Sequence, residues 1–124
     1  MFGDKLKTMQ AIGSLMKNKD QLAEAGERIK AKVEAMRVEG EAGGGACRAV
    51  VNGKMKLLDL TLDPALLSGM AIDEKTRSLA TALIKDAIND ATEKAQKQVQ
   101  ELISREAEAM GLGDLGGQIG GLLN

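Results

Sequence analysis

The chain has 124 residues, 17 basic and 18 acidic, for a net charge of −1; histidine is absent, Cys47 is the single cysteine and Phe2 the single aromatic. That length suits one domain with a modest core. The composition excludes imidazole acid–base catalysis, histidine metal sites, an internal disulfide, a CxxC metal clip and an aromatic platform for unpaired bases.

No segment is long and apolar enough to span a bilayer, and the N-terminus lacks the uninterrupted apolar stretch of a signal peptide. A cytoplasmic protein with no membrane partner is therefore expected, and the lack of a disulfide pair fits a reducing compartment. Bulk charge does not advertise a nucleic-acid partner. Its distribution says more: residues 1–19 hold Lys5, Lys7, Lys17 and Lys19 against Asp4 alone.

The first helical pattern covers residues 5–36. Leu15, Leu22, Ile29 and Met36 recur every seven residues, with Ala25 and Val33 beside them. The earlier apolar residues Phe2, Leu6, Met9 and Met16 lie on a different face, so the apolar seam changes phase near Gly13–Met16. A second neighbour, such as another subunit, would account for the change.

A strand meander follows. Met36–Ala42 reads as the first strand, Gly43-Gly44-Gly45 as a flexible connection, Ala46–Val51 as the second strand and Lys54–Asp63 as the third. Asn52-Gly53 suits the two left-handed positions of a tight hairpin turn. On the third strand Leu58, Leu60 and Leu62 share one face and Asp59, Thr61 and Asp63 the other, which predicts one buried face. Pro64 stops the strand, and 64–72 reads as a loop with at most one helical turn.

Asp73 is the expected N-cap of a second helix that runs to Met110 and ends at Gly111. Its buried seam is Ala80, Ile84, Ala87, Ala91, Ala95, Val99 and Leu102. About 38 residues at ~1.5 Å each make a rod of about 57 Å. A compact globule of this chain length has a diameter of only about 35 Å. The excess seam predicts a second copy, most simply as a two-fold homodimer. Residues 111–124 form a Gly/Leu-rich tail, in which glycines at ~1 kcal/mol each oppose a helix; a flexible segment is expected.

Most candidate sites have plain structural readings. Cys47 is a small core hydrophobe rather than a reactive thiol. Asn89-Asp90 is a surface or capping pair rather than a metal or catalytic site. Gly43–Gly45 has no following Lys-Ser/Thr and opens no helix, so it is not a phosphate cradle. On the second helix, Asp86, Asp90, Glu93, Glu101 and Glu108 form an outer face that repels a DNA backbone. Lys75, Arg77, Lys85, Lys94 and Arg105 scatter around the rod as solubility charges. On the first helix, Lys17, Arg28 and Lys32 lie on one flank of the seam with Lys7 nearby, and Lys5, Lys19 and Lys30 on the other; alone, they read as solvated flanks.

Several motifs in order resemble the YbaB/EbfC nucleoid-associated proteins of bacteria. They are the Met-Phe-Gly start, the methionine-sprinkled first helix, Val38-Glu39-Gly40-Glu41-Ala42-Gly43-Gly44-Gly45, Asn52-Gly53, Leu62-Asp63-Pro64-Ala65-Leu66-Leu67 and Ala87-Ile88-Asn89-Asp90-Ala91. The similarity covers roughly residues 1–110. It implies an α-β-β-β-α subunit, a homodimer with projecting helical arms, and cytoplasmic, nucleoid-associated DNA binding. Two features depart from the family pattern: the tail lacks the usual proline and methionine, and the arms are not conspicuously basic.

The expectation is an α+β chain with a dimerising domain at 1–110 and a flexible tail at 111–124. It is not an enzyme and has no cofactor. It binds double-stranded DNA as a homodimer through backbone and shape contacts, with possible effects on transcription or DNA maintenance implied by the resemblance. The site residues are Lys5, Lys7, Lys17, Lys19, Arg28 and Lys32. The rival expectation is a protein-interaction adaptor for replication or recombination factors.

Overall fold

A computed structural model of the protein describes residues 19–111. The elements run α1 (Lys19–Ala35), β1 (Val38–Ala42), β2 (Cys47–Val51), β3 (Leu57–Leu62), α2 (Pro64–Ile72) and α3 (Glu74–Ala109). This is the expected α-β-β-β-α order with one added helix. The phase change near Gly13–Met16, Lys5, Lys7, Lys17 and the tail beyond Gly111 lie outside the described residues.

The strands form one antiparallel sheet in the order β1-β2-β3. Val38, Gly40 and Ala42 pair with Val51, Ala49 and Cys47, so apolar or small residues share one face. Glu39 and Arg48 lie on the solvent side and meet at 3.6 Å. The long helix α3 lies over β1 and β2. Its Ala87, Ala91 and Ala95 and the strand residues Val38, Cys47, Ala49 and Val51 make a buried cluster. Small residues on both layers allow that approach. At Gly40 an added Cβ would fall on the Ala91 amide nitrogen and the Ala87 carbonyl, so helix and strand backbones are nearly in contact there. Burial drives the Cys47 thiol pKa upward, as expected of a core hydrophobe.

Three sequence expectations need correction. First, Asn52-Gly53 is not a two-residue left-handed turn; the connection spans 52–56, and its left-handed residue is Met55, at φ 65°. The Asn52 side-chain oxygen accepts from the Lys54 and Lys56 amides at 2.9 and 3.0 Å, which organises a longer loop. Gly53 serves close approach instead. Its amide donates to the Val33 carbonyl at 2.9 Å, and a Cβ would stand 2.7 Å from that oxygen. That carbonyl, at the end of α1, also accepts a longer bond from the Met36 amide at 3.4 Å, so Gly53 supplies its shorter partner.

Second, the third strand changes phase. A bulge between Val50 and Val51 sets Leu57, not Leu58, opposite inward-facing Val51, while Leu60 and Leu62 keep their expected inward positions. β3 is an edge strand that α3 covers less than its neighbours, and Leu57 stays 42% exposed.

Third, 64–72 is a helix. Asp63 caps it by accepting from the Ala65 amide at 3.1 Å, and Pro64 occupies the first turn, where its missing N–H costs nothing. The proline that ends the strand also starts the helix.

Asp73 is the expected N-cap of α3. One carboxylate oxygen accepts from the Lys75 amide at 3.0 Å and the other from the Thr76 hydroxyl at 3.2 Å. Its own amide closes α2 by donating to the Gly69 carbonyl. At the far end Gly111 takes φ 75° and donates to the Glu108 carbonyl, a left-handed helix stop.

Candidate nucleic-acid interface

The α1 helix has a weak apolar side and many charges. Ala25 is buried, while Leu22, Ile29 and Val33 are half-buried. Ile29 and Val33 face Val99 and Ile103 of α3 across a groove of about 380 Å³ that Gly53, Met55, Lys30 and Lys54 also line. Polar links close the rest of the gap. Lys32 Nζ lies 2.8 Å from Glu106 Oε1, and an Arg28 terminal nitrogen lies 3.6 Å from Glu106 Oε2. At the other end Lys54 Nζ sits 2.7 Å from Glu34 Oε1, tying the β2–β3 loop to α1.

These pairs set the local electrostatics. Glu106 is held below the usual carboxylate range by its hydrogen bond from Lys32, with the Lys32 and Arg28 charges adding to it against partial desolvation. Glu34 is lowered mainly by its hydrogen bond from Lys54. Both carboxylates therefore remain ionised at neutral pH.

Of the expected DNA-contacting residues, Lys19 is exposed at the start of α1. Arg28 and Lys32 lie on one flank, as the helical spacing predicts, and converge on Glu106. Their side chains remain 52% and 54% exposed. Lys30 projects from the opposite flank and lines the groove beside Lys54. The fold thus brings a cation from the β2–β3 loop to the α1 cations, a neighbour that sequence reasoning missed. The signal was the pair Lys54 and Lys56 just after Asn52-Gly53. Its docking on the end of α1 is a tertiary contact that no local pattern encodes.

The α3 charges also need revision. Asp90 is no outward-facing repellent. Its Oδ2 accepts from the Glu41 amide on the free edge of β1 at 3.0 Å and from Lys94 at 2.9 Å, and its pKa is lowered by both. The Asp90 carboxylate therefore covers an edge donor of the sheet. The hydrogen bond from Lys94 to Asp90 raises the lysine pKa. Arg77 donates to the Met70 carbonyl at 3.0 Å, closing the end of α2. Neither Arg77 nor Lys94 is a mere solubility charge. Among the described residues, no group of three or more cysteine, aspartate or glutamate side chains could hold a metal ion. No described helix is long and apolar enough to cross a membrane.

Comparison with known proteins adds a lineage to this geometry. A nucleoid-associated protein of Chlorobaculum tepidum, CT0805, is 34% identical over 100 residues, spanning 81% of this chain and 78% of the relative. A nucleoid-associated protein of Anaeromyxobacter dehalogenans is 35% identical over 94 residues, spanning 76% of this chain and 86% of that one. The crystal structure of an uncharacterized Helicobacter pylori protein, HP0035, shares the fold at a TM-score of 0.57 and 21% identity, covering 73% of this chain and 87% of its own. Residues 9–110 match the YbaB/EbfC DNA-binding family as a unit, from the N-terminal segment through the sheet to the end of α3. The chain belongs to that family.

Proposed function

We propose that the protein binds double-stranded DNA as a homodimer, chiefly through phosphate and shape contacts, and is associated with the bacterial nucleoid in the cytoplasm. The observation that carries this reading is the exposed cation set on α1, namely Lys19, Arg28, Lys30 and Lys32, on a helix that stands partly away from the packed sheet. Lys5, Lys7 and Lys17 add to the same N-terminal charge excess. Family membership and the nucleoid-associated relatives point the same way. Phosphate contacts from lysines need no base-specific geometry, so the ligand is duplex backbone rather than a single sequence.

Exposed apolar surface supports the dimer. The inner side of β3 keeps Leu57 at 42% exposure, and α3 spans about 54 Å for its 36 residues. A second copy would cover the sheet edge and the excess of the rod. Residues 1–110 form the dimerising domain in this reading. Any effect on transcription or DNA maintenance would follow from occupying or bending the duplex.

The test is titration of the full chain with duplex DNA at two salt concentrations, with mass measured alongside. A dimer whose affinity falls steeply with salt is expected. Neutralising Lys5, Lys7, Lys17 and Lys19 to glutamine should weaken binding at least about tenfold, and flatten the log–log salt slope by about 0.9 for each phosphate no longer neutralised. Salt-insensitive or absent binding at low ionic strength overturns the reading.

A second reading has its own observation. Leu67, Ile72 and Leu79 stand 52%, 86% and 54% exposed on α2 and the start of α3. That surface supports a protein-interaction adaptor for replication or recombination factors. Partner capture that survives high salt and fails when Ile72 and Leu79 become serine would favour it.

A further inference from the structure

Two of the cations assigned to phosphate already have an anion. Glu106 is the shared acceptor of Arg28 and Lys32, and its side chain is only 13% exposed, whereas theirs are about half exposed. The carboxylate sits in the seam between α1 and α3 while its two donors open to solvent. A phosphate approaching α1 would find these nitrogens reachable but occupied.

We propose that Glu106 is a built-in competitor of the DNA phosphate, a latch that withholds Arg28 and Lys32 from the duplex and so sets how tightly the protein binds. This rests on the DNA-binding reading above and adds to it a residue that tunes affinity. The physical reason is the cost of exchange. When a phosphate takes Lys32, the Glu106 carboxylate is left partly desolvated without its principal donor, a loss the new phosphate pairing must offset. Arg28, at 3.6 Å, is held more loosely than Lys32 at 2.8 Å and yields first.

Converting Glu106 to glutamine keeps the side-chain shape and removes the competing charge. The experiment measures duplex affinity of the full chain at two salt concentrations for the wild type, E106Q, K32Q and the double variant. E106Q is expected to bind three- to tenfold tighter at low salt, with a log–log slope steeper by about 0.9 for each further phosphate neutralised. K32Q is expected to cost less in the wild type, where Glu106 holds Lys32, than in the E106Q background, where it should cost several-fold and flatten the salt slope. If the wild type binds and E106Q is no tighter, the latch is overturned and the DNA reading stands. If only E106Q binds, the latch is supported in a tightly closed form. If neither binds, both fall. Should E106Q lose helix content, the salt slope of K32Q in the wild type decides: a slope flattened as much as that of K19Q shows Lys32 already on the phosphate and overturns the latch, whereas an unchanged slope supports it.

Discussion

The long helix α3 and the first helix α1 attach to the same sheet unit by opposite means. α3 is fastened by backbone proximity: Ala87, Ala91 and Ala95 lie on Gly40, Cys47 and Ala49 with no room for a methyl group at the crossing. α1 is fastened by points. These are the Gly53 amide on the Val33 carbonyl, the Lys54–Glu34 pair and the Glu106 clasp, with one buried residue, Ala25, and a groove alongside. Packing of the first kind has little alternative geometry, whereas charged links can be exchanged for other ions. The protein thus carries the candidate DNA-contacting cations Lys19, Arg28 and Lys32 on the element most easily rearranged and its rigidity on the other.

The largest expected effect comes from breaking the α3 crossing. A Gly40→Val substitution puts side-chain atoms where the Ala91 amide and Ala87 carbonyl stand. Neither is the end of a flexible side chain, so helix and sheet must separate. A loss of about 3 kcal/mol or more is expected, at the upper end of overpacking costs, with the chemical denaturation midpoint as the measurement. Asn52→Ala should cost about 2 kcal/mol, because Asn52 is 7% exposed and two loop amides lose their acceptor. Its effect should reach α1 through Gly53 as well as destabilising the β2–β3 loop. Asp73→Ala is smaller, about 1 kcal/mol, since one cap is lost from a long helix packed elsewhere.

The contrast between the two helices also marks what the sequence could disclose. The alanine seam of α3, its Asp73 cap and its Gly111 stop are local patterns, and they appear where the spacing places them. The β1 and β2 alternation is equally local. The third strand slipped because a bulge between Val50 and Val51 re-aims its start, and no period-2 count anticipates an inserted residue. Pro64 has two roles, ending a strand and opening a helix, and the hydrophobic run Pro64–Ile72 gives little amphipathic contrast to separate helix from loop. The candidate interface was half legible. The shared flank of Arg28 and Lys32 follows from four-residue spacing, whereas their meeting with Glu106, more than seventy positions away, depends on how α1 lies on α3. Lys54 joined the cation set for the same reason.

The smallest and most selective prediction separates the two modes of attachment by pH. Glu106 and Glu34 both have folded-state pKa values below the ordinary 4.5, owing chiefly to hydrogen bonds from Lys32 and Lys54 respectively. A carboxylate whose pKa is lower folded than unfolded contributes stability that is fully present above the unfolded value and is lost as pH falls through the folded one. The α1 links should therefore weaken progressively below about pH 4.5. Asp90 follows the same sign at the edge of β1, but there the apolar crossing at Gly40 and Ala91 persists after the carboxylate protonates. Amide exchange, corrected for its intrinsic pH dependence, should rise across Lys19–Ala35 before it rises at Ala87–Ala95. In E106Q and E34Q combined, the α1 exchange should already be raised at neutral pH and should lose most of its acid response. Simultaneous loss of protection in both helices would mean that α1 is held by the same packing as α3, and that its charged links are incidental.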